Sequence, residues 1–418
     1  MNATIPHIGV ISDPNHFHTK KWVNGLLRAG VKVTLFGFAE EHMEGVAYVR
    51  ISPQAFINGQ ISYLSYLFSG RSLRKALVKS QVDVLLALHV TPYGVWALRS
   101  RFQPLVLMAM GADILEYPPR FEQLQISQDR TYNSQSLSPM KGTERAVSKG
   151  WSKMKFRLRW RFFRYWVNRS LQAGCFIAGD NQQLVDSVIN WFNVPKEKVQ
   201  LNRWGIEASL FQGQEAQARI FKEKWGIEKG KKVILAPRGL KPVYQGDIIL
   251  EAIESYLKLE RDTYHFIVLS AGYQAPEEVE RRAILLDESQ SNFTYIKGLI
   301  PREHMGALWE LTDGMIIAPV YDGYSNALNE GKYTGALPIL NDIPAHREMM
   351  THQQNAWLIK DFDKQRLVDT LLALEQDFES WKQKFALHNR AWVQEHASLD
   401  TNIKKFLEGM APFVRLPS

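Results

Sequence analysis

Short apolar runs recur along the first half of the chain, separated by stretches whose apolar positions fall at three- and four-residue steps. That alternation predicts a parallel sheet flanked by helices. Residues 7–12 read as a first strand, 19–29 as a helix, and 32–36 as a second strand after the turn at Gly30; 83–88, 104–109 and 175–178 continue the series. A second series follows Trp204-Gly-Ile-Glu207, with strands at 232–236, 265–270, 293–297, 315–318 and 337–340, and the pattern is helical from Asp363 to about Met410. Between 117 and 150 the pattern lapses into polar sequence long enough for a functional loop, and an acceptor-side lid is one reading of it. The expectation is an α/β chain divided into 1–210, 211–395 and a terminal helix, 396–418, packing back on the first domain.

Length agrees, since 418 residues exceed what one hydrophobic core usually supports. At 45% hydrophobic and 22% charged residues the composition is that of a globular protein. No apolar run approaches the roughly 18 to 20 residues a spanning helix needs, and the first residues lack a signal-peptide pattern, so a cytoplasmic location is expected. The one cysteine, Cys175, lies in an apolar run and reads as core. The net charge of +8 is concentrated locally, because 151–170 interleaves basic and aromatic residues with no acid. Phe156, Trp160, Phe163 and Val167 form an apolar stripe there, with Arg157, Arg161 and Arg164 beside it. Three readings fit: an anionic membrane surface at the inner face of the cytoplasmic membrane, a basic acceptor-binding face, or internal packing with a solvated basic side. Nucleic acid is not expected, because no Walker lysine motif or RNA-binding signature accompanies the charge.

The chemistry is concentrated in 318–341. Asp322 and Glu330 stand eight positions apart, where a buried strand passes through a turn-rich loop into a helix. Ser325 reads as the N-cap, which directs the amides of Asn326, Ala327 and Leu328 and the positive end of the helix dipole toward a bound anion. A carboxylate beside a phosphate is unfavourable unless it binds hydroxyl groups, and a ribose or a hexose next to a diphosphate supplies them. The pattern therefore points to a sugar nucleotide. Arg238 directly follows the strand at 232–236, where it can grip a diphosphate bidentately. Lys297 and Gly298 end another strand, either as a turn or as backbone that reads a nucleobase edge.

Asp322 to Glu330, Gly335-Ala-Leu-Pro338 and Asp342-Ile-Pro-Ala-His-Arg-Glu348 resemble the nucleotide-sugar motif of the retaining GT-B glycosyltransferases of family 4. Arg238-Gly-Leu-Lys-Pro-Val-Tyr-Gln-Gly-Asp247 is similar to that family's diphosphate loop. Asn15-His-Phe-His-Thr-Lys-Lys-Trp22, Ala87-Leu-His-Val-Thr-Pro-Tyr-Gly94, Met110-Gly-Ala-Asp113 and Trp204-Gly-Ile-Glu207 extend the resemblance over nearly the whole chain. It implies a GT-B fold, two Rossmann-like domains whose parallel sheets face a central cleft. It further implies that Glu330 binds ribose hydroxyls, that Asp322 binds hydroxyls of the transferred sugar, and that the amides of Gly323, Tyr324, Ser325 and Asn326 hold the distal phosphate and sugar. Arg238 would neutralise the leaving diphosphate, with Lys241, Tyr244 and Gln245 in its loop. His16, His18, Thr19, Met110 and Gly111 fall on the acceptor side, and Asp113 is the candidate for a polar or basic catalytic role there.

Three departures stand out: Asp in place of the commoner Glu at 322, Tyr244 and Gln245 where the loop lysine is expected, and Met110 where the family often has His. The last points to a deoxy sugar, a pentose, or a different hold on the hexose. The implied reaction is transfer with retention from a nucleoside diphosphate sugar to a glycan or lipid-linked hydroxyl, in cell-surface glycan or glycolipid synthesis, with no metal or other cofactor. Asp361-Phe-Asp363 comes too late in the chain for a metal-bound donor, and Asp363 suits a helix cap. The competing readings are an epimerase of the same fold and a catalytically silent sugar-nucleotide-binding protein.

Overall fold

The computed structural model describes residues 6–57, 60–119 and 149–414. The chain forms two compact units, one made of 1–203 with 399–418 and the other of 204–398. Trp204 to Leu210 thus belong to the second unit, a few residues earlier than the sequence pattern placed the division.

In the first unit the strands are β1 (Ile8–Ile11), β2 (Val33–Gly37), β3 (Ala47–Arg50), β6 (Val84–Leu88), β7 (Leu105–Ala109), β8 (Phe176–Gly179) and β9 (Val199–Leu201). Between β3 and β6 a small antiparallel hairpin pairs β4 (Phe56–Ile57) with β5 (Gln60–Ile61). The seven strands are parallel in the order β3-β2-β1-β6-β7-β8-β9. Strand order reverses at β1, where Ile8 faces Val33 on one side and Val84 on the other. Four of these strands, β1, β6, β7 and β8, are continuous apolar runs buried on both faces, as helices on both sides of a parallel sheet require, and β2 is equally buried but carries Thr34.

The second unit repeats the plan with β10 (Lys232–Ala236), β11 (Tyr264–Leu269), β12 (Phe293–Ile296), β13 (Gly314–Ile317), β14 (Leu337–Asn341) and β15 (Trp357–Ile359). Their order is β12-β11-β10-β13-β14-β15, all parallel, and the reversal falls between β10 and β13. Its core gathers Ile234, Leu250, Phe266, Ile316, Leu337 and Leu371. Asp363 caps the helix Lys364–Glu375, accepting from the Arg366 N–H at 2.9 Å.

Of the three readings of the helix Lys149–Ala173, internal packing holds for part of the apolar stripe: Phe163 and Val167, with Leu171, are buried in the first unit. A different stripe of that helix is exposed. The polar stretch 117–150 lies mostly outside the described residues.

Candidate active site

In open α/β sheets ligands bind beyond the carboxyl ends of the strands where strand order reverses. In the second unit that point lies between β10 and β13, and the residues after both strands converge on it. Arg238 follows β10 by two positions. Its Nη1 donates to Ser325 Oγ at 2.9 Å and its Nη2 to Asp322 Oδ1 at 3.0 Å. The guanidinium lies over the Tyr244 ring, 4.6 Å from its centroid, so its planar face is covered while its edge is held. Ser325 is the N-cap of the helix Asn326–Thr334 and also accepts from the Leu328 N–H at 3.3 Å. One hydroxyl therefore joins the arginine to the end of the helix where backbone N–H groups outnumber their acceptors. The Gly323 N–H is turned onto Asp322 Oδ1 at 3.0 Å. Asp322 Oδ2 is buried without a hydrogen-bond partner among the described residues, which suits it to receive a ligand hydroxyl.

Glu330 lies one turn into that helix and is 4% exposed. Arg302 Nη1 reaches its Oε1 at 2.8 Å, and Trp309 Nε1 its Oε2 at 3.0 Å. The close fit depends on Gly331, where a Cβ would come within 2.4 Å of Met315 Sδ on β13 and 2.8 Å of the Trp309 ring. The helix can therefore lie against the sheet and Trp309 at once, at the usual cost of a mid-helix glycine. Arg302 and Trp309 escaped the sequence reading. Both stand on the helix Arg302–Glu310, and nothing local in their sequence links that helix to Glu330.

The remaining donor-side candidates are placed as follows. Lys241 Nζ sits 4.0 Å from the Tyr273 ring centroid, and burial lowers its pKa. The Gln245 side chain donates to Ala318 O at 2.9 Å, tying the loop after β10 to the end of β13. Lys297 pairs with Glu280 at 3.1 Å. The Gly298 N–H donates to Ser270 Oγ at 2.7 Å and its carbonyl accepts from the Gly272 N–H at 3.1 Å, so this backbone is engaged with the neighbouring loop.

The first unit collects its candidates at its own reversal, after β1 and β6. His16 caps the helix Phe17–Arg28, accepting from the His18 N–H at 3.3 Å. Its ring lies 5.1 Å from that of His18 and 6.3 Å from that of His89. His89 ends β6 with φ of 87°, a left-handed conformation that a non-glycine residue adopts at a cost, and such strain concentrates at functional sites. Burial, with His16 nearby, pushes its pKa down to about 3, so the ring is neutral. The sequence reading met His89 inside the motif Ala87–Gly94 and gave it no role of its own; its position directly after an apolar strand was the available signal. Thr19 is corrected: it is 1% exposed and its hydroxyl bonds Ser12 Oγ at 2.7 Å, which withdraws it from an acceptor contact.

Asp113 is buried in the helix Ala112–Leu115, its Oδ2 accepting from the Val90 N–H at 2.8 Å and its Oδ1 from the Met110 N–H at 2.9 Å. It thereby fixes the loops after β6 and β7 to each other. Gly111 between them has φ of 120°, which only glycine adopts freely. Burial outweighs the surrounding N–H groups and pushes the Asp113 pKa up to about 6. Since the unfolded value is about 3.9, the folded chain holds the extra proton between the two. This contribution to stability is therefore full below pH of about 4 and is lost as pH rises through about 6. Asp113→Asn should destabilise at every pH by setting an amide N–H against a backbone N–H. The wild type's margin over the variant should be larger at pH 4 than at pH 7, and urea midpoints at the two values check it; a constant margin would remove the titrating carboxyl from this account.

Two family models match the chain: "Glycosyl transferase 4-like" over residues 7–137 and "Glycosyl transferases group 1" over 217–386. The chain belongs to the family 4-like GT-B glycosyltransferases. No curated protein matches this glycosyltransferase in sequence. Among solved structures it is similar to a glycosyltransferase from Rickettsia africae, at 12% identity and a TM-score of 0.72, covering 99% of this chain and 100% of that one. Sucrose-phosphate synthase from Thermosynechococcus elongatus gives 13% and 0.73, covering 97% and 98%. Anabaena HepE in complex with UDP-glucose gives 11% and 0.70, covering 97% and 100%. At such identities the likeness concerns the fold. The glycosyltransferase thus has two parallel α/β sheets of GT-B type, each with polar side chains gathered beyond the carboxyl ends of its strands.

Proposed function

We propose that this glycosyltransferase moves a sugar with retention from a nucleoside diphosphate sugar to a hydroxyl of a glycan or lipid-linked acceptor, in cell-surface glycan or glycolipid synthesis in the cytoplasm. The observation that carries the donor half is the single guanidinium of Arg238 bridging Asp322 and the N-cap Ser325 at the reversal of the sheet. In this reading the diphosphate displaces part of that bridge. Arg238 and the helix end then face the phosphates, while Asp322 is released toward hydroxyls of the transferred sugar. Glu330, held by Arg302 and Trp309, keeps lone pairs for the ribose.

Chemistry at the anomeric carbon needs charge stabilisation on the leaving diphosphate more than a protein nucleophile. In a front-face displacement the leaving phosphate oxygen accepts the proton of the incoming hydroxyl. On the acceptor side, neutral His16 and His89 can bond hydroxyls, and Asp113 acts as a positioning residue that fixes the strand ends carrying His89 and Met110. The test is a panel of uridine, guanosine, adenosine and thymidine diphosphate sugars, begun with UDP-glucose because HepE holds it. The measurements are nucleotide released and the anomeric configuration of the product. Transfer from an α-linked donor to an α-linked product is expected; a β-linked product overturns retention, and epimerised donor or binding without turnover overturns transfer.

A further inference from the structure

The helix Lys149–Ala173 carries eight basic residues and no acidic one, and Asp83 is the only acid between Glu44 and Asp113. Along its outer side Met154, Leu158, Phe162 and Tyr165, spaced by four, four and three residues, are 49%, 59%, 42% and 56% exposed. They form one apolar line, opposite the buried Phe163, Val167 and Leu171. Arg157, Arg161 and Arg169 are exposed beside that line. The Phe162 ring meets that of Tyr63 at 6.2 Å, and the helix Tyr63–Phe68 adds Leu64 and Phe68, 41% and 63% exposed. This apolar surface is therefore continuous across two helices.

Tyr165 also lines a cavity of about 470 Å³ together with Arg164, Asn168, Gln172 and Asn193. Arg164 gives one N–H to Tyr117 O and another to Trp191 O, the latter at 2.8 Å, and no carboxylate pairs with it among the described residues. Its face lies over the Phe192 ring, 4.5 Å from the centroid, and of the five N–H donors of a guanidinium those not given to the two carbonyls remain for an anion. Burial lowers its pKa, as expected of a cation lacking a counter-charge.

We infer that this face docks on a membrane of anionic lipids, with the apolar line entering the acyl boundary and the Arg164 cavity taking a lipid phosphate headgroup. Charge decides the occupant. A second copy of the chain would bring the exposed Arg157, Arg161 and Arg169 against their like, with no carboxylate on either of the two helices to answer them, and a polyphosphate backbone would leave Met154, Leu158 and Phe162 wet. An anionic bilayer satisfies both halves, and stable attachment at an interface generally requires both apolar burial and basic charge. The inference extends the lipid-linked form of the acceptor in the functional reading above by adding the membrane that would carry it, but vesicle binding is measured without donor or acceptor and so stands or falls separately.

Flotation with phosphatidylcholine vesicles, with and without phosphatidylglycerol, tests it using the full chain. The wild type should bind the anionic vesicles at least about tenfold better than the neutral ones. Leu158→Ser with Phe162→Ser should lower the anionic partition coefficient by about tenfold or more. Asn168→Asp, which places a carboxylate beside Arg164, should lower it comparably while keeping the melting profile of the wild type. Nucleotide-sugar binding should be unchanged in both variants. Equal binding to both vesicle types, variants that bind as the wild type does, or a concentration-dependent dimer that Leu158→Ser with Phe162→Ser dissolves would overturn the inference.

Discussion

Arg238→Ala is expected to lower kcat by about 10² to 10³-fold while the donor KM changes far less, the range seen when one preorganised charge-stabilising donor is removed. The reason lies in where charge develops. In the ground state the diphosphate already has its charges and can draw on the first-turn amides of the helix Asn326–Thr334, whereas bond cleavage adds charge to the leaving oxygen. Once the bound donor has released Asp322, the guanidinium is still held by Ser325 at 2.9 Å and over the Tyr244 ring at 4.6 Å, so it is in place before that charge develops. Alanine also strips Asp322 of its partner, and removing one member of a buried pair costs about 3 to 5 kcal/mol. The side chains here are 20% and 12% exposed, so the cost should fall below that range. A melting curve therefore accompanies the kinetics. Arg238→Lys separates the two effects, because it restores a charge for Asp322 but one ammonium lacks the planar fork that spans both partners. Its kcat should fall between the wild type and alanine with stability largely restored. An alanine variant within threefold of wild-type kcat would remove Arg238 from catalysis.

The strands were legible wherever both faces of the sheet are covered, because a strand buried on both sides is an uninterrupted apolar run; β6, β7, β10 and β13 are of this kind. β3 and β9 were missed for the opposite reason. They are edge strands with no fully buried residue, and composition marks such segments weakly. The basic helix shows a different limit. Its sequence carries aromatics at almost every angle, so periodicity establishes a helix without fixing which side packs, and only tertiary contact separates buried Phe163 from exposed Phe162.

The positions in the donor site were legible for a local reason. Asp322, Ser325 and Glu330 lie on one turn-and-helix segment, and Arg238 follows a strand end. Arg302 and Trp309 were not, because their places depend on how separate elements pack. Arg302 and Trp309 reach Glu330 only because Gly331 lets two helices approach, and no spacing along the chain encodes that contact.

Glu330→Gln should reduce discrimination for the ribose hydroxyls to a few-fold. Each hydrogen bond to a charged group contributes about 1.5 to 3 kcal/mol, so the wild type should prefer a ribonucleotide donor over its 2′-deoxy or 3′-deoxy counterpart by about 10- to 100-fold in kcat/KM. In Glu330→Gln the ribonucleotide donor itself should lose a comparable factor, mainly through KM, and the preference should shrink to a few-fold. Glutamine is the informative substitution because alanine would leave Arg302 Nη1 and Trp309 Nε1 both without the acceptor they now share. With glutamine one of them keeps an oxygen, and the amide N–H₂ must face the other donor. That mismatch loosens the side chain in a pocket where Glu330 is 4% exposed, so a modest fall in melting temperature is expected with either donor. The deoxy donor provides the control, since general loosening weakens both donors alike and only a lost ribose contact erases the difference between them. A full ribonucleotide preference surviving in Glu330→Gln would show that this carboxylate supports the helix without touching the ribose. The kcat loss expected of Arg238→Ala would stand independently, because that effect concerns the leaving diphosphate and is read at saturating donor.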